Sequence, residues 1–388
     1  MNRVFICGYY NFPRGGAAAN YVQSLAKTFI AMGKQVIVIT NRNFNISFKD
    51  DIYQGIQVDA VQLKTDRIGH YMDFNFFIGE HFKKKLLYYS LDSQDIIIAY
   101  SRDSLILNSI LSISKKTGAK TGVCLVEWFE KKDYDKWIIN IEFWKAQISF
   151  YMLNFKFDII FPISTYIEEY YKRKGCKTFR LPCLVDTTEF EFEKKKINNK
   201  KVFIFPGNGK MKDALVEMIQ AFSLLEENEL SKIEFHICGV SGLAKQIIED
   251  NKLEKYLGNK IIVHNWMTYE KLVDLYKKAH FMLLARDISR MTMANFPSKI
   301  PETLSYGIIP ICTKVGDYTN LYLKDGINSI IMDGCDPKTI LNAIRRALQI
   351  SATDMMKLSE NARKTAENEF DYRVWVDAIK QYLDNGDI

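Results

Sequence analysis

Residues 201–213 read KVFIFPGNGKMKD. The apolar run Lys201 to Pro206 is short, aromatic and β-branched, and it breaks at once into Gly207-Asn208-Gly209-Lys210-Met211-Lys212-Asp213 before a helical pattern begins. Strand, glycine-bearing turn and helix in that order make the repeating unit of a parallel sheet wrapped by helices. The glycines let the backbone approach a phosphate, and lysines beside a helix start supply point charges for it. The order G-x-x-x-x-G-K-[ST] is missing, which disfavours a P-loop ATPase. The competing structural reading is a solvated basic turn.

Outward from this stretch the same unit recurs. Downstream, Ile233 to Gly239, Lys260 to His264, Phe281 to Ala285, Ile308 to Cys312 and Ser329 to Met332 are strand candidates with helices expected between most of them. Immediately upstream lies DTTEFEFEKKKINNKK, residues 186–201, which has no periodic core face and marks residues 188–200 as a linker. Before it the alternation runs once more: strand Val4 to Gly8, helix Asn20 to Met32, then strands Gln35 to Thr40, Asp95 to Tyr100, Thr121 to Val126 and Asp158 to Pro162. The pattern predicts an α/β chain of two doubly wound domains, 1–187 and 201–365, with a cleft between them. A final helix in 366–388 is expected to pack back on the first domain.

Composition agrees with two folded cores. Of 388 residues, 47% are hydrophobic and 26% charged, the balance of a globular chain too long for a single core. A formal charge of +7 favours anionic partners without indicating nucleic acid. Cys7, Cys124, Cys238 and Cys312 sit inside apolar runs and read as buried free thiols of a reducing compartment. No stretch has the roughly 18 to 20 apolar residues of a membrane span. The N-terminal run is too short for a signal sequence, so a cytoplasmic location is expected.

In open parallel sheets, ligands sit beyond the carboxyl ends of the strands, so the residues just past each apolar run are informative. Arg14-Gly15-Gly16-Ala17-Ala18-Ala19-Asn20 follows the first strand and opens a helix, whose unpaired N–H groups suit an anion. Asn295-Phe296-Pro297-Ser298-Lys299-Ile300-Pro301-Glu302 precedes an apolar helical turn. There Glu302 is either a first-turn residue suited to the helix dipole or a chelator of a ribose diol, with Lys299 or loop N–H groups meeting phosphate. Glu127-Trp128 follows the strand Thr121 to Val126, where a carboxylate binds sugar hydroxyls, accepts a proton or makes a structural ion pair. His264 stands at a strand end and His236 inside a strand. No pair of histidines has metal-ligand spacing, so no metal site is expected.

With these positions marked, the chain resembles the family 4 glycosyltransferases of the GT-B fold, especially those that assemble bacterial surface polysaccharides. The resemblance rests on Gly15-Gly16-Ala17-Ala18-Ala19-Asn20, Glu127-Trp128, Pro162-Ile163-Ser164, Leu181-Pro182, Val185-Asp186, Gly209-Lys210-Met211-Lys212-Asp213, Arg286-Asp287 to Arg290, and Asn295 to Glu302, in order over nearly the full length. It implies two Rossmann-like domains facing a central cleft and a retaining, metal-independent transfer of a hexose-type sugar. The co-substrate would be a UDP- or GDP-linked nucleotide sugar, with no other cofactor. By the resemblance, Lys212 neutralises the β-phosphate, Arg286 reaches the phosphates or the sugar, and Glu302 holds the ribose. Gly15, Gly16, Gly207, Asn208, Gly209, Asn295, Phe296, Pro297, Ser298 and Lys299 complete the donor-binding set, and Glu127 joins Lys212 and Arg286 as a catalytic candidate. The acceptor implied is a glycan or a polyprenyl-diphosphate glycan.

The chain departs from the family at three places. Ala294 stands eight positions before Glu302, where many relatives carry Glu; Asn208 replaces Arg, and Glu127 replaces the His of several. Two other readings therefore stay open: a nucleotide-sugar epimerase of the same architecture, and a sugar-nucleotide binder that has lost catalysis. Finally, YDKWIINIEFWKAQISFYMLN, residues 134–154, places Trp137, Ile141, Trp144, Ile148 and Tyr151 at helical spacing, with Lys131, Lys132 and Lys136 at its start. Phe74 to Phe77 with Lys83-Lys84-Lys85 is similar. Both suit either core packing or peripheral attachment to the anionic inner face of a cell membrane.

Overall fold

The computed structural model describes residues 3–14, 16–42, 51–134, 136–193, 195, 200–207, 209, 212–239, 241–250, 254, 260–264 and 267–384. The chain divides into one unit of Met1–Val185 with Tyr372–Ile388 and another of Asp186–Asp371.

In the first unit, β1 (Arg3–Phe12), β2 (Gln35–Arg42), β3 (Ile52–Tyr53), β4 (Ile56–Ala60), β5 (Ile96–Ala99), β6 (Lys120–Leu125) and β7 (Ile159–Pro162) lie in the order β3-β4-β2-β1-β5-β6-β7. The register sets Ile6 of β1 beside Val38 of β2 and Ile98 of β5. All three are fully buried, as expected of parallel strands covered on both faces. Among the described residues of this unit, only the β3–β4 pair is antiparallel. Its turn is Gln54-Gly55, both at positive φ (50° and 81°), the geometry of a two-residue hairpin.

The second unit holds β8 (Lys201–Pro206), β9 (Ile233–Cys238), β10 (Ile261–His264), β11 (Phe281–Leu284), β12 (Ile309–Thr313) and β13 (Ile330–Met332) in the order β10-β9-β8-β11-β12-β13, all parallel. Its core joins Phe203, Phe205 and Phe235 of the sheet to Met218, Ile219 and Phe222 of the helix Leu215–Ser223. Phe222 stacks on Phe235 at 4.3 Å. On the opposite side of the chain order, Asp336 caps the helix Pro337–Gln349, whose first residue is a proline already set for a helical start.

The boundaries differ from those read in the sequence. Of the charged stretch expected to be a linker, residues 194 and 196–199 lie outside the described residues; its described start packs within the second unit, where Phe190 meets Tyr306 edge-on at 5.2 Å and Arg363 donates to the carbonyls of Thr187 and Phe190, each at 3.0 Å. Lys195 donates to the carbonyls of Tyr276, at 3.0 Å, and Ala279. The second unit also extends past 365, because Phe370 packs on Phe296 and Tyr322. From Tyr372 onward the chain belongs to the first unit, where Phe179 meets Trp375 and Tyr382 edge-on. Among the described residues no helix is long and apolar enough to cross a membrane.

Candidate active site

Chain order reverses between β8 and β11, which is where an open parallel sheet leaves a crevice for ligands. Just past β11, Arg286 is 4% exposed. Its Nε donates to Asp213 Oδ1 at 2.8 Å and its Nη1 to Asn295 Oδ1 at 3.1 Å, while its backbone N–H donates to Thr313 Oγ1 at 2.9 Å. Lys299 completes the group, with Nζ 3.1 Å from Asp213 Oδ2 and 4.6 Å from the centre of the Phe205 ring. A side chain at position 207 would place its Cβ 2.6 Å from Lys299 Nζ, so Gly207 keeps the space that this ammonium occupies.

Asp213 thus sits between two cations. Burial pushes its carboxyl toward the neutral form, but Lys299 and Arg286 outweigh that and hold it below the usual carboxylate range. Burial lowers the affinity of Lys299 for its proton, and Asp213 partly restores it. With two cations to one carboxylate the cluster carries net positive charge in a water-poor place, which suits a diphosphate.

Glu302 lies in the first turn of the helix Lys299–Ser305. Its carboxylate makes no hydrogen bond or ion pair among the described residues. It is partly open to solvent yet crowded by protein, and burial pushes its carboxyl up to about 7, with Lys299 pulling the other way. Ser298 occupies the cap position of this helix without a side-chain capping bond, so capping does not account for the segment.

The structure sorts the remaining residues expected at the site. Lys212 is half-buried, two residues short of the Ala214 that caps the helix Leu215–Ser223. The loop therefore does not run directly into the helix: Asp213 intervenes, and Ala214 N donates to Ala285 O at 2.9 Å. Gly209 has φ +63°, a conformation open to glycine. Phe296 is a core residue, 2% exposed among Tyr318, Tyr322 and Phe370, and so anchors the loop instead of facing a ligand. Pro297 is buried beside it, its carbonyl accepting from Ile300 N at 3.0 Å, and Ala294 is fully buried. Gly15 and Asn208 lie outside the described residues. His236 and His264 stack, with Nδ1 of the first 2.8 Å from Nε2 of the second, so His264 is engaged with a neighbouring strand.

Gly16 and Glu127 belong to the first unit. Gly16, at φ +103°, precedes the helix Ala17–Ala31. Glu127 borders a cavity of about 380 Å³ at the carboxyl ends of β1, β5 and β6. Sequence reasoning missed two partners in this wall, Asp103 and Lys145, which pair at 2.7 Å. The signal for Asp103 was present, because Tyr100-Ser101-Arg102-Asp103 directly follows β5. It also missed Asp213 as the counter-ion of Arg286 and Lys299.

Residues 186–365 match the family described as glycosyl transferases group 1. Among solved structures, the chain is similar to sucrose-phosphate synthase from Thermosynechococcus elongatus, at 15% identity over 99% of both chains with a TM-score of 0.74. It is similar also to Anabaena Alr3699/HepE in complex with UDP and glucose, at 12% identity over 99% of this chain and 100% of that one with a TM-score of 0.72. WaaG, a glycosyltransferase involved in lipopolysaccharide biosynthesis, gives 13% identity over 99% of this chain and 100% of that one, with a TM-score of 0.68. At these identities the likeness is one of fold. No curated protein matches the chain by sequence.

Proposed function

We propose that the chain, whose residues 186–365 match the group 1 glycosyl transferases and whose fold is shared with sucrose-phosphate synthase, is a glycosyltransferase that moves a hexose-type sugar from a nucleotide diphosphate donor to a glycan or lipid-linked glycan acceptor. The anomeric configuration is retained and no metal ion takes part. The acceptor hydroxyl oxygen bonds to the anomeric carbon while the bond from that carbon to the phosphate oxygen breaks. The nucleoside diphosphate leaves with the electron pair, and the hydroxyl proton passes to a phosphate oxygen on the same face.

One observation carries this reading. Lys299, Arg286 and Asp213, next to Lys212, gather at the chain reversal of the second sheet, beside a carboxylate, Glu302, that has no hydrogen bond among the described residues. Negative charge grows on the leaving diphosphate as the bond breaks, and cations already in place stabilise that charge more than the ground state. Ionised Glu302 accepts hydrogen bonds from the two hydroxyls of a ribose. The group 1 match and the fold shared with a UDP-bound structure support the same donor class. An epimerase would need further carboxylates or histidines in the site, and among the described residues the cluster's carboxylates are Glu302 and Asp213.

Exposed Ile138, Ile139, Trp144, Ile148, Tyr151 and Met152 in the first unit, with Lys131, Lys132 and Lys136 nearby in sequence, support peripheral attachment to an anionic membrane, and with it a place in surface polysaccharide assembly.

The test is nucleotide release from a panel of UDP-, GDP- and dTDP-sugars with and without glycan acceptors, with the product anomer assigned by NMR and metal excluded by EDTA. Release that depends on acceptor supports transfer; epimerised sugar, or binding without turnover, supports the other two readings. Lys212→Ala should lower kcat by about 10²- to 10³-fold with the fold intact. Near-normal turnover would remove Lys212 from the site.

A further inference from the structure

Arg286 is nearly buried, yet its guanidinium still has donors to spare. Nε donates to Asp213 and Nη1 to Asn295, while Nη2 makes no hydrogen bond or ion pair among the described residues. Nη2 also keeps contact with solvent, unlike the sealed and unmatched polar atoms of the core.

The direction in which Nη2 points depends on what holds the guanidinium plane. One hydrogen bond through Nε leaves that plane free to swing about the bond. Asp213 supplies no second point, because its other oxygen, Oδ2, takes Lys299 at 3.1 Å. Asn295 supplies it: the residue is 7% exposed, and its Oδ1 accepts from Nη1 at 3.1 Å. The backbone beneath is held as well, by the bond from Arg286 N to Thr313 Oγ1. Asn295 is in turn fixed from both sides. Before it, Ser289 and Thr292 cap the helix Arg290–Ala294 reciprocally, and Ala294 is fully buried. After it, Phe296 packs among Tyr318, Tyr322 and Phe370. A neutral amide suits this place, since a second carboxylate would fix the plane only by cancelling the positive charge that Asp213 leaves over.

Resting on the transferase reading above, we infer that Asn295 is a positioning residue, which acts through Arg286 and fixes its plane so that Nη2 meets the leaving diphosphate. A guanidinium aimed in advance gives up little freedom on binding and needs no reorganisation as charge grows on the phosphates.

The test combines calorimetric titration of the full chain with UDP and side-chain NMR of protein labelled with 15N-arginine, the Arg286 signals being assigned from their loss in Arg286→Met. Asn295→Ala should weaken UDP binding about three- to tenfold. Asn295→Asp keeps the acceptor but cancels charge, and should weaken it further. In an Arg286→Met background, Asn295→Ala should have no additional effect, because the two residues act as one unit. Rotation about the Cζ–Nε bond of Arg286 should be slow in the wild type and faster in Asn295→Ala. Wild-type UDP affinity in either Asn295 variant, an equal loss with and without Arg286, or Arg286 signals unmoved by Asn295→Ala overturns the inference. Failure of the transferase reading shows separately, as a wild-type chain that does not bind UDP; the NMR comparison then decides by itself whether Asn295 fixes Arg286.

Discussion

At the scale of the residue, Asp213 decides the character of the donor cluster. A buried carboxylate between a guanidinium and an ammonium is strongly favoured only while all three charges are present, and removing one partner leaves the others desolvated and uncompensated. Asp213→Asn should therefore cost about 3 to 5 kcal/mol of stability in urea unfolding. A nucleotide diphosphate should stabilise this variant more than the wild type, because its phosphates replace the lost counter-charge. Equal stabilisation of both would mean that the phosphates do not reach Arg286 and Lys299. Since the Asp213 carboxyl is held below its ordinary value, its contribution is present above the unfolded value near 4 and is lost as pH falls through the lower folded value. Glu302 has the opposite sign. Its carboxyl is raised to about 7, so in the free protein the stability associated with its protonated form fades as pH climbs from about 4.5 through 7. On the proposed role of Glu302 the ribose diol takes the ionised form, and affinity for UDP-glucose should then rise up to about tenfold between pH 6 and pH 8. Glu302→Gln should flatten that profile; calorimetric titration across the range measures both. Lys212, Lys299 and Glu302 were marked as candidates in the sequence because each stands just past a strand or at a helix start. Asp213 was not, because its role is set by partners 73 and 86 residues away.

At the scale of the element, parallel strands announced themselves. β8 is apolar on both faces because helices cover both, so its run coincides with the sequence reading, and β9, β11 and β13 shift by a residue or so at their ends. The β3–β4 hairpin escaped notice because β3 has only two residues and its signal is confined to a Gln-Gly turn. Residues 134–154 form no single helix. Trp137–Ile139 is a 3-10 turn, Asn140 then accepts from Phe143 N to start the helix Ile141–Ile148, and a wider turn, Ser149–Leu153, ends it. The helical spacing still placed Trp144, Ile148 and Tyr151 on exposed positions, while Phe143, Ser149 and Phe150 turn inward. Charge patterning does not show what holds the described part of residues 186–195: besides Lys195, one arginine from a distant helix binds it. Arg363, in the helix Ala352–Thr365, reaches the carbonyls of Thr187, Phe190 and Ser305 and the carboxylate of Glu367. Arg363→Lys keeps the charge but cannot reproduce the planar fork. It should cost about 1.5 to 3 kcal/mol, seen as a lower urea midpoint with unchanged slope. An unchanged midpoint would show that Phe190 packing and the Lys195 hydrogen bonds hold this segment without it.

At the scale of the whole molecule, charge and apolar exposure bear on the membrane attachment proposed above. The chain carries a formal +7 while leaving Ile138 67%, Ile139 75% and Met152 61% exposed in the first unit. A second group in that unit exposes Ile68 77%, Phe76 49% and Phe77 49%, with Lys83, Lys84 and Lys85 on the helix that follows. Contiguous apolar exposure is costly in water unless something covers it, and lysines beside it select a surface that is negative as well as apolar. Each lysine near an anionic bilayer contributes about 1 kcal/mol, a term that salt screens, whereas burial of isoleucine side chains is insensitive to salt. The two contributions therefore separate experimentally. The protein should sediment with vesicles containing anionic lipid at low salt and not with zwitterionic ones, and binding should fall but persist at physiological ionic strength. Ile138→Asp with Ile139→Asp should remove the persistent part while leaving nucleotide-sugar binding unchanged, because these residues lie outside the donor cluster. Sedimentation of the double variant equal to that of the wild type would assign attachment to charge alone, and failure of the wild type to sediment with anionic vesicles at low salt would remove the membrane from the account.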